Sequence, residues 1–142
     1  MSEVIDKAKW QLKSASVVYC LQNDVTEVPF DKHDFVWQCA SNHICHFVNW
    51  LYNNDFLQLQ SEVQDFNCYE YVKNEIDYTL LEEDLKPCIV DFVKSYYETY
   101  LDDYGAYMTN ENKTMLGVTF EESDYEKLSK VIDKAYKEYM AK

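Results

Sequence analysis

Residues 31–52 read DKHDFVWQCASNHICHFVNWLY and carry no charge after Asp34. Drawn as a helix at 100° per residue, the stretch has one apolar stripe and a second row beside it. The stripe consists of Val36, Ala40, Ile44, Phe47 and Leu51, and the second row of Cys39, His43, His46 and Trp50. A helix that is apolar over most of its circumference is usually the buried one in a bundle. The stretch therefore predicts a central helix that starts at a capping Asp31 and stops at 53–55.

Helical periodicity continues on both sides of this stretch, and turn residues are scarce. Two glycines and two prolines among 142 residues are too few for a typical sheet protein. The further predicted helices cover residues 2–23, 56–65, 68–83, 84–104 and 123 onward. Residues 105–120 lack the pattern and predict an irregular loop, a place where binding residues often lie, or a short hairpin around 110–113. The fold expected is all-α, a compact bundle of about six helices around the buried helix 31–52, with residues 1–142 forming one acidic helical domain.

Capping signals predict several of the helix boundaries. The expected caps are Asp55, Asn67 and Ser123, each followed three residues later by Gln or Glu, together with Asp84 ahead of Pro87. Gly105 is expected to end the helix that begins at Asp84, because glycine adopts the left-handed conformation common after a helix.

The charge balance limits the classes of partner. The formal net charge is −13, with 26 acidic residues, 13 basic residues that are all lysine, and no arginine. Such a surface disfavours direct binding to nucleic acid, which requires cationic groups to neutralise phosphates. Anionic membrane surfaces would also repel it. The expected partner is a basic protein surface, a metal ion or a polyamine.

Cysteine usage and the N-terminal sequence bear on the compartment. The five cysteines are an odd number and include no Cys-x-x-Cys pair. The first ten residues, MSEVIDKAKW, lack the basic and apolar regions of a signal peptide, and no apolar run is long enough to cross a bilayer. We therefore expect a cytoplasmic protein whose cysteines are reduced, buried and apolar in character.

One cluster has the residue types of a metal or small-ligand site. Cys39, His43 and His46 share a helical face at spacings of four and three residues. The alternative is that these side chains border the core, with their ring nitrogens hydrogen-bonded to the backbone or to tyrosines. No Cys–His or Ser–His pairing is specific enough to indicate a nucleophile, and the two glycines form no phosphate-binding loop. The sequence thus predicts no cofactor and a protein that is not an enzyme.

The acidic residues are concentrated in one third of the chain. Residues 62–104 hold twelve acidic residues and three lysines, which gives −9 of the total charge. Carboxylates at helical spacing stand about 5–6 Å apart, comparable to phosphates along one DNA strand. The candidate partner-binding residues are Glu70, Glu75, Asp77, Glu82, Glu83, Asp84, Asp91, Glu98, Asp102 and Asp103. Two acidic helices joined at 82–84 are expected to present a curved negative row, although such a row can also be a solvated face that keeps a protein soluble.

A short match to a known family supports the same interpretation. The residues His33, Asp34, Val36, Ala40, Asn42, His46 and Phe47 resemble the central helix of the phage anti-restriction DNA mimics of the Ocr type. The resemblance covers only the central-helix stretch, and this chain is longer, with a nearly neutral C-terminal helix. It implies an all-helical acidic inhibitor of DNA-binding host-defence enzymes.

The leading functional hypothesis is a non-enzymatic inhibitor that occupies the basic nucleic-acid-binding surface of a restriction or CRISPR enzyme as a DNA mimic. A second hypothesis is an immunity- or antitoxin-like protein that neutralises a basic toxin by shape as well as charge, with a weaker dependence on salt. A third is a metal- or small-ligand-binding domain centred on Cys39, His43 and His46. The sequence leaves a homodimer open.

Overall fold

The central helix lies where the sequence predicts it. A computed structural model describes residues 3–59 and 64–142. Helix α2 spans His33–Asn53 and follows a short 3-10 turn at Phe30–Lys32. The predicted cap is wrong, because Asp31 lies inside this turn and no side chain among the described residues caps the start of α2. All nine residues of the predicted stripe and second row are buried. α2 is therefore the helix around which the other elements pack.

The remaining helices confirm a mostly helical fold. Their bounds are α1 at Lys9–Asn23, α3 at Cys68–Glu70 with a π-helical turn at Tyr71–Glu75, α4 at Pro87–Asn110 and α5 at Glu122–Met140. Four residues of α4 at helical spacing form a buried stripe: Ile89, Val93, Tyr96 and Tyr100. The aromatic rings of α2 meet those of α4 and α5, with Phe47 4.8 Å from Tyr100 and Trp50 5.7 Å from Tyr136 between ring centroids.

The all-α prediction is wrong at two short strands. β1 at Val4–Lys7 pairs antiparallel with β2 at Thr79–Leu81, so the predicted helices 2–23 and 68–83 are each partly strand. The chain leaves the helical path at Asp77 and Tyr78, which both have positive φ angles. Pairing between distant segments thus overrides the local helical pattern, as is common for short segments.

The predicted helix 56–65 is also wrong within the described residues. Phe56 to Leu59 run alongside the chain before α4: Leu57 bridges Leu85, and the Lys86 amide donates to the Phe56 carbonyl at 2.9 Å. Asp55, the expected cap, has a positive φ of 60° and turns the chain instead. Residues 60–63 of this prediction lie outside the described part of the chain.

Helix α4 continues beyond the expected terminator Gly105 and ends at Asn110. The reason is packing: Tyr104 and Met108 extend the buried stripe by two more turns. The irregular segment is consequently residues 111–121 rather than 105–120.

The predictions of helix caps are only partly confirmed. Asn67 is confirmed as a cap, since its Oδ1 accepts from the Glu70 amide at 3.0 Å. Asp84 caps a 3-10 turn, not α4, because its carboxylate accepts from the Leu81 amide at 2.8 Å. α5 begins one residue before the predicted cap Ser123, which therefore lies inside the helix.

No helix in residues 3–59 and 64–142 combines the length and apolarity needed to cross a membrane. The expectation of uniformly buried cysteines is partly wrong: Cys39, Cys45 and Cys68 are buried, whereas Cys20 is half-buried and Cys88 is exposed.

Candidate functional site

The outward face of α4 brings three of the predicted carboxylates together. Asp91, Glu98 and Asp102 are exposed, seven and four residues apart, while the opposite side of the helix is buried in the core. At a rise of 1.5 Å per residue these positions are separated by about 10 Å and about 6 Å along the axis. The helix therefore presents a row of carboxylates to solvent.

Two more carboxylates extend this row at its N-terminal end. Lys94 lies between Asp91 and Glu98 on the same face, and its ammonium contacts Glu3 at 2.9 Å and Glu82 at 3.6 Å. These two neighbours raise the pKa of Lys94, so the lysine stays charged but is already matched by more than one carboxylate. We define the α4 acidic strip as Glu3, Glu82, Asp91, Glu98 and Asp102.

A groove of about 580 Å³ borders the strip where α4 begins. Its lining combines acidic and apolar side chains: Glu3, Gln58, Glu82, Glu83, Leu85, Pro87, Val90 and Lys94. Glu83, another of the predicted partner-binding residues, thus lies beside apolar surface. A ligand seated here would meet negative charge and hydrocarbon together.

Two of the predicted carboxylates are held by the protein itself. Asp84 is half-buried as the cap described above, and burial raises its pKa despite the hydrogen bond from Leu81. Asp103 accepts a hydrogen bond from the Tyr96 hydroxyl at 2.8 Å and lines a separate groove between α4 and α5. Both stabilise local structure and are less accessible to a partner than the strip.

The second acidic row does not join the first on a continuous helix. Glu70, Glu75 and Asp77 lie on α3, the π-helical turn and the turn before β2. β2 separates these elements from α4, so the curved row predicted from two consecutive acidic helices is not formed. Glu70 also accepts a hydrogen bond from Asn74 at 2.8 Å.

The predicted metal-site residues lie on one face of α2 but make separate contacts. They are Cys39, His43 and His46. His43 donates through Nε2 to Asp6 at 2.9 Å, and Asp6 also accepts from the Tyr97 hydroxyl at 2.7 Å. His43 and Asp6 are only 5% and 4% exposed. Burial raises the pKa of the Cys39 thiol to about 11. Among the residues that the structure describes, no three His, Cys, Asp or Glu side chains are placed to hold a metal ion.

His46 has a different environment from its neighbour. Its side chain is fully buried, its ring centroid lies 4.7 Å from that of Phe120, and neither ring nitrogen has a hydrogen-bond partner in the described chain. Burial lowers the pKa of His46 to about 4, so the ring is neutral at pH 7. The sequence-based alternative is thus correct in placing both histidines in the core, but wrong about their partners: His43 bonds to the Asp6 carboxylate rather than to the backbone or a tyrosine, and His46 has no partner among the described residues.

An ion pair between the partly buried Lys113 and the buried Asp124 anchors the irregular segment 111–121. The Lys113 ammonium contacts both oxygens of Asp124 at 2.7 Å, and the Tyr107 hydroxyl donates to the same carboxylate at 2.7 Å. Burial by itself would raise the pKa of Asp124, but these hydrogen bonds outweigh it and lower the pKa. The loop expected to carry binding residues is therefore tied to the start of α5.

The groove between α4 and α5 has a volume of about 410 Å³. Aromatic rings form its floor, since Phe92 and Tyr139 pack with ring centroids 5.4 Å apart. Asp103, Lys134 and Glu138 stand among its lining residues. It is a second exposed concavity in which apolar and charged groups are combined.

Comparison with known proteins identifies a family whose description assigns no activity. The chain matches the model of a family described as a domain of unknown function, DUF7832, over residues 4–119. No curated protein and no solved structure matches the chain significantly. The match runs from β1 into the irregular segment after α4 and therefore includes four of the five carboxylates of the α4 acidic strip, all except Glu3.

Proposed function

Because the chain belongs to the DUF7832 family, whose description assigns no activity, we propose its function from the site itself. The protein is a non-enzymatic acidic inhibitor that binds the basic, nucleic-acid-binding surface of another protein. In this proposal it acts as a DNA mimic toward a host-defence enzyme of the restriction or CRISPR type.

The α4 acidic strip is the observation that carries this proposal. Asp91, Glu98 and Asp102 are exposed along one helix face, and none of them forms an ion pair within the described residues. Lys94, the one lysine on this face of α4, is already matched by Glu3 and Glu82. The strip therefore keeps a net negative charge that is available to an external cation.

The physical consequence is strong attraction to a basic groove. A row of like charges on a rigid helix steers a cationic partner toward it and accelerates association at low ionic strength. Carboxylates about 6 Å apart match the spacing at which lysines and arginines of a nucleic-acid-binding groove meet successive phosphates. Binding should consequently weaken steeply as salt screens the charges.

A second candidate function is supported by the groove beside the strip. An immunity- or antitoxin-like protein needs apolar anchors as well as charge, and Leu85, Pro87 and Val90 lie next to Glu82 and Glu83 there. A partner that fills this groove would bury apolar surface, whose contribution is insensitive to salt. Binding by this mode should thus survive ionic strengths that abolish a purely electrostatic contact.

The experiment uses purified restriction and CRISPR nucleases as probes. Each enzyme's binding to its DNA is measured by gel mobility shift with increasing amounts of this protein, at low and high salt. We expect competition with DNA for at least one nuclease, weakening with salt. The triple variant Asp91→Lys, Glu98→Lys and Asp102→Lys should lose about tenfold or more in apparent affinity, since favourable pairs become repulsive.

A matched control separates the strip from net charge. The variant Glu122→Lys, Glu126→Lys and Glu138→Lys changes the net charge equally on exposed positions of α5. It should retain most of the competition. Equal losses in both variants would argue for non-specific attraction, and competition that persists at high salt would favour the immunity-like alternative.

A further inference from the structure

The outward face of α1 carries an uncovered apolar stripe. Trp10, Ser14, Val17 and Leu21 recur at intervals of four, three and four residues, which places them on one side of the helix. Trp10 is 61% exposed and Leu21 is 78% exposed. The opposite side of α1 packs on α2 through Ala15, which is buried. Large apolar side chains gathered in this way typically mark a contact surface.

Charge is distributed unevenly along the same face. Lys9 and Lys13 stand at the N-terminal end of the stripe, and α1 itself contains no acidic residue. Asp24 follows the last residue of α1, and Glu27 lies in the loop beyond it. All four are exposed, and none forms an ion pair with another described residue. The stripe is thus basic at one end and acidic at the other.

We propose that this face binds a second copy of the chain, with the two α1 helices packed antiparallel around a two-fold axis. If the axis passes between Ser14 and Val17, Trp10 of each copy faces Leu21 of the other. The small side chain of Ser14 at the centre lets the helices approach closely. The basic end of one stripe then lies on the acidic end of the other, so that Lys9 meets Asp24 on both sides of the axis.

The antiparallel arrangement follows from charge complementarity. In a parallel pair, Lys9 and Lys13 of one chain would face the same lysines of the other chain, and Asp24 would face Asp24. Like charges would then repel at both ends of the stripe. A two-fold axis makes one patch complementary to itself, which is the usual way in which a protein forms a dimer. The same bipolar pattern does not fit a uniformly basic or uniformly acidic partner.

A groove beside the stripe offers space for the largest side chain. Its volume is about 550 Å³, and it lies between the C-terminal half of α1 and the segment 26–28, with Cys20, Leu21 and Val28 in its lining. In the antiparallel pair, Trp10 of the second copy is brought to this end of α1. Burying an aromatic side chain in such a pocket is typical of the residues that dominate an interface.

The first test measures the mass of the 142-residue chain by sedimentation equilibrium at about 1 μM to about 1 mM, a range that suits micromolar to millimolar dissociation constants. We expect a monomer–dimer equilibrium. Leu21→Asp should raise the dimer dissociation constant about tenfold or more, because it removes the apolar partner of Trp10 and places a charge where the contact excludes water. Met140→Asp is the matched control: it changes another exposed apolar side chain, 62% accessible, outside the stripe, and should leave the constant unchanged.

A charge-exchange experiment tests the antiparallel arrangement itself. The variant Lys9→Glu with Lys13→Glu has two acidic ends, and the variant Asp24→Lys with Glu27→Lys has two basic ends. Each should be monomeric alone, while an equimolar mixture should form a heterodimer because every end meets its opposite. Circular dichroism on each variant verifies that α1 stays folded.

Three results would overturn the proposal. The first is a wild-type protein that is monomeric over the whole range, and the second is a dimer that Leu21→Asp leaves intact. The third is a monomer that sediments with phosphatidylserine vesicles through Trp10 and Leu21, which would assign the stripe to a membrane surface. The inference is independent of the α4 acidic strip, since the nuclease competition described above uses different residues.

Discussion

Buried and exposed carboxylates in this protein differ in what they do. Asp6 and Asp124 are almost inaccessible, and each is held by two side chains from distant parts of the chain. Asp91, Glu98 and Asp102 are exposed on α4 and have no such partners among the described residues. Asp6 and Asp124 therefore join elements of the fold, whereas the exposed row on α4 is available to another molecule.

The energetic reasons for the difference are desolvation and screening. A carboxylate removed from water is stable only if its partners replace the lost hydration, so removing one partner is costly. An exposed carboxylate keeps its hydration, and its pairwise interactions are worth at most about 1 kcal/mol. Substitutions of the buried carboxylates should thus lower the stability of the fold. Substitutions of the exposed carboxylates should weaken binding and leave the stability almost unchanged.

The largest expected effect on stability is at Asp124. Asp124→Ala removes the acceptor of Lys113 and Tyr107 and leaves a partly buried ammonium with only the exposed Glu121 carboxylate nearby. We expect a loss of about 3 kcal/mol in the free energy of unfolding, measured by urea denaturation.

A double variant shows whether this loss comes from the unmatched charge. Asp124→Leu combined with Lys113→Met replaces the ion pair by apolar side chains of similar size and should recover much of the stability. If Asp124→Ala costs no more than a surface substitution, the segment 111–121 is not anchored by this pair.

His46 should give the protein a pH-dependent stability. Its pKa in the folded protein is about 4, because burial disfavours the charged ring, compared with 6.5 for a histidine in an unfolded chain. The folded state thus binds fewer protons than the unfolded state between these values. Stability is fully present above about pH 6.5 and falls by roughly 3 kcal/mol as the pH drops to 4.

The measurement is urea denaturation at intervals between pH 7 and pH 4. His46→Phe should flatten the curve in this window while changing the stability at pH 7 much less, since a phenyl ring can pack against Phe120 in the same place. His33→Gln is the control, because His33 is exposed and should not affect the curve. A pH profile that His46→Phe leaves unchanged would show that His46 is not the source of the dependence. Asp124 would not account for it either, because its pKa is lowered and its contribution is lost only at still lower pH.

The contrast between the regions also explains what the sequence could predict. Helical periodicity located α2 and the buried stripe of α4, because a repeat of 3.6 residues is a local property. The exposure of Asp91, Glu98 and Asp102 follows from the same repeat. The bonds of Asp6 to residues 37 and 91 positions away leave no trace in local spacing.

The errors concern the same kind of long-range contact. β1 and β2 are four and three residues long, and each forms only because the other is beside it. Gly105 is a plausible terminator by its type, but the buried positions of Tyr104 and Met108 continue α4 past it. Ten carboxylates could be chosen from charge alone, and only tertiary structure shows that Asp103 is held by the Tyr96 hydroxyl.

The smallest expected effect on stability is at Glu98. Lys94 lies one turn before Glu98 and Asp102 one turn after it on the exposed face of α4. Glu98→Lys therefore makes the interaction with Lys94 repulsive and the interaction with Asp102 attractive. Because the two changes nearly cancel, the free energy of unfolding should change by less than about 0.5 kcal/mol.

Urea denaturation at low and high salt measures this change, with Glu98→Gln as the neutral control. High salt should remove what little difference remains, because both pairs are solvent-exposed. A loss above about 1 kcal/mol would mean that Glu98 has a structural contact and belongs with Asp6 and Asp124. A near-zero change, combined with weaker competition for a nuclease, would instead place it with the residues that act only on another molecule.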